Sequence, residues 1–210
     1  ATYPGGLLQE LLQLCRARGI WLIVDETYRD FLPLDGGAPH GLFALPNWQD
    51  NLVGLYSFSK SFCIPGHRVG AITAGEALVG QIAKVMDNLQ ICAPRPPQSA
   101  LAKAIPALGD WRRCNTQEIA DRAAALKEVM AETRGWEITA LGAYFAFVRH
   151  PFAELSAYDA AHKLAREAGV ITIPGSFFGQ GLEGYLRVAF ANADVATIGQ
   201  LGERFSACGR

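Results

Sequence analysis

At about 150 residues per domain, the 210-residue chain has room for one large or two small domains. Half of it is hydrophobic and 19% charged, which excludes a disordered tail. Nineteen basic against twenty acidic side chains leave a net charge of −1, so no nucleic-acid or anionic-membrane partner is expected. Leu8, Leu11, Leu12 and Cys15 share one face of a helix that should stop at Gly19. Residues 20–24 form a continuous apolar run, the pattern of a strand buried on both faces. Such runs are strand-length, far below the roughly 20 residues that span a bilayer. This one stops at Asp25 and Glu26, which places acids at a strand's carboxyl edge, where open α/β sheets bind ligands. Residues 33–48 are rich in Pro and Gly and read as loop.

A second strand over 52–58 runs straight into Ser59 and Lys60. A short loop holds Pro65 and Gly66, and 68–73 is a third strand candidate. Ala77, Leu78, Ile82, Val85, Met86 and Leu89 trace a helical face, which Pro94, Pro96 and Pro97 break. One more short helix breaks near Pro106, and the organisation changes over 110–115. Asn115 with Glu118 resembles a capping box, from which Ile119, Ala123, Leu126, Val129 and Met130 continue as an amphipathic helix. Residues 136–139 and 143–148 read as strands. Ser156 with Asp159 caps a helix ending at Gly169, and 170–173 and 185–191 are further strands. Val195, Ile198, Leu201 and Phe205 mark a closing helix. A boundary near 112 thus divides an α/β piece, 1–112, from a smaller α+β piece, 113–210.

Five scattered cysteines form no C-x-x-C pair, which argues against a disulfide framework or zinc site. The same cysteine pattern suits a reducing, cytoplasmic setting, and no secretory signal opens the chain. The first residue is not Met, a hint of a processed or truncated protein.

Gly179, Gly181 and Gly184 match G-x-G-x-x-G, but they lead into a β-like segment. A dinucleotide site needs a helix N-terminus there, so the glycines read as loop. Cys63 and His67 are four apart with Pro65 and Gly66 between them, which precludes a helix aligning them as ligands; no metal is expected. The constellation that carries chemistry is Asp25, Tyr28, Ser57, Ser59, Lys60, Arg68 and Arg187. Each has a structural explanation singly. Together they place a lysine at one strand end, an acid at another, hydroxyls beside them, and two arginines within apolar strand segments that need an anionic partner. Pyridoxal phosphate (PLP) needs this inventory. It requires a lysine for the Schiff base and an acid to keep the pyridine nitrogen protonated. A phenol suits its 3-oxygen, and hydroxyls with a bidentate cation suit the phosphate.

Asp25, Glu26, Thr27 and Tyr28, then Ser57, Phe58, Ser59, Lys60, Ser61 and Phe62, then Gly66, His67, Arg68, Val69 and Gly70 resemble the class I/II, fold-type I PLP-dependent aminotransferases. The likeness continues through the segments at 174–179 and 186–190 and so spans nearly the whole chain. It implies an α/β fold: part of the large three-layer αβα domain with a mostly parallel sheet, then the small α+β C-terminal domain. It implies that Lys60 is the Schiff-base lysine and proton shuttle, that Asp25 pairs with the pyridinium nitrogen, and that Tyr28 bonds the 3-oxygen. Ser57, Ser59 and Arg68 would hold the phosphate, and Arg187 the substrate's α-carboxylate. Implied too are amino-acid and 2-oxo-acid substrates and a homodimer with sites at its interface.

Family members are roughly twice this long, so the resemblance implies a C-terminal half, with residues 3–6 a worn remnant of an N-P-x-x-P-T-G region. By analogy, the strands ending at Asp25 and Lys60 are expected to be separated by one from the absent half, and the 210 residues to be inactive alone. Gln90 stands where dicarboxylate-specific relatives place an arginine, which disfavours aspartate or glutamate as donor. The cofactor residues alone leave open a C–S or β-lyase or a decarboxylase on the same fold, or an aminotransferase-like domain of a transcriptional regulator.

Overall fold

The computed structural model describes residues 3–32 and 39–208, which divide into two compact units, Thr2–Thr116 and Gln117–Arg210. Part of the predicted 33–48 loop therefore lies outside the described residues. In the first unit, helix α1 (Gly5–Ala17) is followed by strand β1 (Leu22–Asp25). Gly19 ends the helix in the left-handed conformation that glycine adopts without steric cost. Strand β2 (Leu52–Ser57) runs directly into the short helix α2 (Phe58–Ser61), and β3 (Gly70–Thr73) follows.

The sheet order is β1-β2-β3, with β1 parallel to β2 and β3 antiparallel. Leu22 pairs with Leu52 and Asp25 with Leu55, so β1 and β2 are direct neighbours. This corrects the expectation that another strand separates them. Nor is β1 buried on both faces. Leu22 and Val24 pack with Leu8, Leu12, Leu42 and Leu52, whereas Ile23 is 61% exposed. Within the unit α1 covers one face, so the continuous apolar run alternates in burial.

Helix α3 (Glu76–Leu89) carries the predicted apolar face but buries no residue. The prolines after it start the next helix, α4 (Arg95–Ala107), where Pro96 and Pro97 occupy first-turn positions that need no hydrogen-bonded N–H. Pro106 lies inside α4 rather than breaking it early. A second core gathers Phe62, Val69 and Leu101.

Helix α5 runs unbroken over Gly109–Glu132, so Asn115 caps nothing. A cap signal acts only where something upstream stops the helix, and residues 110–117 contain neither Gly nor Pro.

In the second unit, strands β4 (Glu137–Gly142), β5 (Phe145–Arg149), β6 (Ile173–Pro174) and β7 (Tyr185–Ala189) form an antiparallel sheet of order β4-β5-β7-β6. The strand expected over 170–173 shrinks to two residues, because Ile173 and Pro174 alone pair with β7 and Pro174 lacks an N–H. Helix α6 (Ala157–Lys163) starts as predicted, with Ser156 Oγ accepting the Asp159 N–H, and continues as a π-turn to Ala168. Helices α7 (Val195–Gly199) and α8 (Leu201–Cys208) close the chain. Ala146, Val148, Leu186 and Val188 form the buried face of the sheet, while Phe145, Phe147, Tyr185 and Arg187 alternate onto the other. No helix among the described residues is long and apolar enough to cross a membrane.

Phe205 is fully buried, stacked on Trp136 at 4.2 Å. Phe205→Ala should therefore destabilise the second unit by about 3–5 kcal/mol. Urea unfolding followed by circular dichroism measures this, and a loss below about 1 kcal/mol would contradict the packing.

Candidate functional site

The site begins at the shared edge of two strands. Parallel pairing ends β1 at Asp25 and β2 at Ser57 on the same side of the sheet, where neighbouring strands lie about 4.8 Å apart. Asp25 is exposed, and its Oδ1 accepts Thr27 N at 3.0 Å and Thr27 Oγ1 at 2.7 Å. The other carboxylate oxygen is not part of that turn.

Ser57 caps α2: its Oγ accepts the Ser59 N–H at 3.3 Å and keeps its own O–H to donate. Ser59 is buried and Lys60 half-buried. Lys60 Nζ stands 5.9 Å from the Tyr28 ring centroid, over its face. The first unit thus brings Asp25, Tyr28, Ser57, Ser59 and Lys60 to one edge.

Arg68 differs from its sequence reading. It lies not in an apolar strand but in a left-handed turn (φ 54°) two residues before β3, exposed, with Nη1 donating to Pro65 O at 2.8 Å. The argument that it needs an anion to compensate burial therefore lapses; its exposed cation is simply available.

Arg187 sits mid-strand in β7 of the second unit, in register with Phe147. Its guanidinium carbon is 4.5 Å from the Phe145 ring centroid and 4.8 Å from that of Phe178, and its buried Nε has no hydrogen-bond partner among the described residues. A guanidinium held over aromatic rings has N–H groups that remain suited to a carboxylate.

Sequence reasoning missed two groups beside Asp25. Glu26 is buried, its Oε1 3.0 Å from the buried His40 Nε2 and 3.5 Å from Arg29 Nη1. His40 Nδ1 accepts the Leu42 N–H at 3.3 Å, which fixes the ring beside Glu26. Alternation along β1 carried the signal: 22, 24 and 26 share the inward face, and an inward carboxylate needs a partner. Above it, Gly54 leaves room for Phe43, whose Cζ would lie 2.7 Å from an added Cβ. The second group is a network. Asp30 Oδ2 accepts the Tyr56 hydroxyl at 2.5 Å, Tyr56 and Ser61 Oγ are also 2.5 Å apart, and Arg112 Nη1 donates to Asp30 Oδ1 at 3.2 Å. Arg112 is 82 residues from Asp30, a separation with no local sequence signal.

The sequence profile of the family described as "Aminotransferase class I and II" matches residues 2–205. An aromatic aminotransferase of Arabidopsis thaliana, ISS1, is 31% identical over 198 residues, covering 90% of this chain and 47% of that protein. An LL-diaminopimelate aminotransferase of Nitratidesulfovibrio vulgaris is 26% identical over 200 residues, covering 90% and 48%. A solved structure of a probable N-succinyldiaminopimelate aminotransferase from Thermus thermophilus shares the fold, with TM-score 0.88 and 24% identity over 99% of this chain and 55% of that one. The chain spans about half the length of the curated relatives it matches.

Burial, then the hydrogen bond to Asp30, pushes the Tyr56 phenol up from 10.0 to about 12. Above pH 10 an unfolded chain releases a proton that folded Tyr56 keeps, so the stabilising contribution is complete below pH 10 and disappears by about pH 12. The stability of the wild type relative to Tyr56→Phe should therefore fall across that window. Urea unfolding at stepped alkaline pH checks it; a constant difference would contradict the buried phenol.

Proposed function

The chain belongs to the class I and II aminotransferase family, and from that membership we propose that it carries the lysine-bearing side of an enzyme moving an amino group between an amino acid and a 2-oxo acid. The family is PLP-dependent. One observation carries the reading for this chain. Adjacent parallel strands end at one edge, the first in a carboxylate and the second in a turn of two serines and a lysine whose amine overlies a phenol.

The donor set fits the cofactor's polar groups. The Ser57 hydroxyl, whose oxygen accepts the Ser59 N–H, keeps its proton to donate, and the exposed Arg68 forms no ion pair among the described residues; both suit a phosphate dianion, with Ser59 the more enclosed third contributor. Asp25 has a carboxylate oxygen outside its turn with Thr27, which suits a protonated ring nitrogen. Tyr28 would bond the 3-oxygen.

When bound, the cofactor supplies the electron sink that makes an amino acid's α-proton removable. Lys60 would hold the cofactor and, as a neutral amine, take the α-proton on Nζ and later return it. Asp25 would keep the ring nitrogen protonated throughout. Arg187, held beside the Phe145 and Phe178 rings with its Nε unpartnered among the described residues, would grip the α-carboxylate and orient the α-carbon.

We read the working enzyme as larger than these 210 residues. Ile23 and the apolar side of α3 are exposed here, and the chain spans about half of its relatives. On this reading the chain alone does not turn over. The resemblance adds a homodimer, and the scattered free cysteines suit a cytoplasmic setting; the preferred amino acid stays open, since matched relatives are named for aromatic, diaminopimelate and aspartate substrates.

In the full-length enzyme, Lys60→Ala should abolish turnover, and Asp25→Ala should slow proton abstraction far more than it weakens cofactor capture. An amino-acid panel scored for oxo-acid product and cofactor absorbance measures both. Multiple turnovers by Lys60→Ala would end the assignment, and pyruvate with ammonia in place of an amino-group acceptor product would redirect it to a lyase. Arg187→Ala should raise KM for the amino acid about 10- to 100-fold with a smaller change in kcat. A KM equal to the parent's would remove Arg187 from the carboxylate site.

A further inference from the structure

The helix that carries Lys60 is too short to hold its own shape. Helix α2 has four residues, barely one turn, and an isolated turn is not stable in water. The place of the lysine amine is therefore decided by what ties α2 to its surroundings. Tyr28 is in the same position: it immediately precedes the 3₁₀ turn Arg29–Phe31 in a loop leaving β1.

One hydrogen-bonded chain reaches both turns. A phenol has a single proton, and the Asp30 carboxylate, paired to Arg112, accepts only. The Tyr56 proton therefore goes to Asp30, and the Ser61 hydroxyl must donate to the Tyr56 oxygen. The direction runs Ser61 to Tyr56 to Asp30, with Arg112 donating from the far side. Ser61 directly follows Lys60 on α2, and Asp30 lies two residues after Tyr28. Tyr56 stands on β2, the rigid element between them.

The long helix braces this chain. Thr116 Oγ1 lies 2.7 Å from Asp30 O, and the Arg112 guanidinium covers the buried Phe62 ring at 5.2 Å. Arg29, the other cation beside the network, is engaged with Glu26.

We propose that Asp30 is a positioning residue, whose carboxylate, acting through Tyr56 and Ser61, fixes the Lys60 turn against the Tyr28 turn. This rests on the reading that Lys60 moves the proton. The raised ionisation of the Tyr56 phenol agrees with a donor held on a carboxylate across the working pH range. Cutting the chain leaves Lys60, Tyr28 and the cofactor contacts chemically intact but lets the two turns drift apart, and small displacements of a reacting group are costly.

The test uses the full-length holoenzyme with Tyr56→Phe, Asp30→Asn, their double variant, and Ser61→Ala beside Ser61→Thr. Each break should lower kcat about tenfold while KM for the amino acid stays within about twofold, and should move the pH midpoint of the bound cofactor's visible band. Ser61→Thr, which restores the hydroxyl, should recover both. The double variant should lose no more than the worse single one, because all cut the same chain. Variants that melt earlier but keep the wild-type kcat and midpoint overturn the proposal, as do additive losses. Should the Asp30 and Tyr56 variants fail to fold, the Ser61 pair alone decides it, since it removes or keeps one hydroxyl. Borohydride fixation of the cofactor to wild type and Lys60→Ala runs in parallel. If Lys60→Ala is still fixed at the same site, the reading of Lys60 falls and takes this inference with it; if fixation is lost while the Ser61 pair matches wild type, this inference falls alone.

Discussion

The parallel pairing of β1 with β2 is the constraint from which the site follows. Backbone hydrogen bonds set Leu22 against Leu52 and Asp25 against Leu55, so the two strands cannot slide without turning their side chains to the wrong face. With that register fixed, a carboxylate and a lysine 35 residues apart in sequence are delivered to one edge by main-chain geometry alone. No side-chain contact between them is needed to bring them together. Two parallel strands ending side by side are also the usual place for a ligand, because loops leave the sheet there and open a crevice.

Registry delivers the residues, but polar ties hold their loops. Asp25 is followed by Glu26, which turns inward and is anchored by His40 and Arg29. Lys60 is followed by Ser61, which is anchored through Tyr56 to Asp30. In each case the candidate site residue is exposed or half-exposed while its neighbour in sequence is buried, Glu26 at ion-pair distance from His40 and Arg29 and Ser61 hydrogen-bonded to Tyr56. The exposed group can then remain available to a ligand while its backbone is fixed from one residue away.

Much of this was legible in the sequence, and the failures have physical causes. Ser156 and Asp159 marked a real cap, and Gly19 and Gly169 marked real helix ends, because those signals act within a few residues. The same kind of signal failed at Asn115, where nothing upstream stopped α5. The strand order, taken by analogy with the family's sheet, differs from the pairing observed; periodicity could not correct it, being silent about adjacency between segments about 30 residues apart. Arg68 was misplaced by two residues, enough to move it from a strand to a turn, since element ends are set by ladder partners rather than local composition. The Tyr56–Asp30–Arg112 network could not be found locally at all. The rings around Arg187 required the β5–β7 register, which places Phe147 opposite it and Phe145 two residues along the same face.

The two faces of β1 finally connect the site to the exposed surface. Residues 22 and 24 look inward to α1 and its leucines, so 23 and 25 share the opposite face. On that face Ile23 and, on β3, Ile72 are exposed at the sheet's two outer strands, while Val53 on β2 is buried. An isoleucine left in water forgoes about 1.5–3 kcal/mol that burial would return, so a covering layer there is favoured on apolar grounds alone. A layer seated on Ile23 must also approach Asp25, two residues away on the same pleat. Excluding water around a carboxylate strengthens its attraction for a protonated ring nitrogen, since the same charges interact more strongly at lower effective dielectric. On the proposed reading, a layer seated over Ile23 would therefore also strengthen the hold of Asp25 on a cofactor's ring nitrogen, so that covering this sheet of the first unit and completing the site would be one physical event.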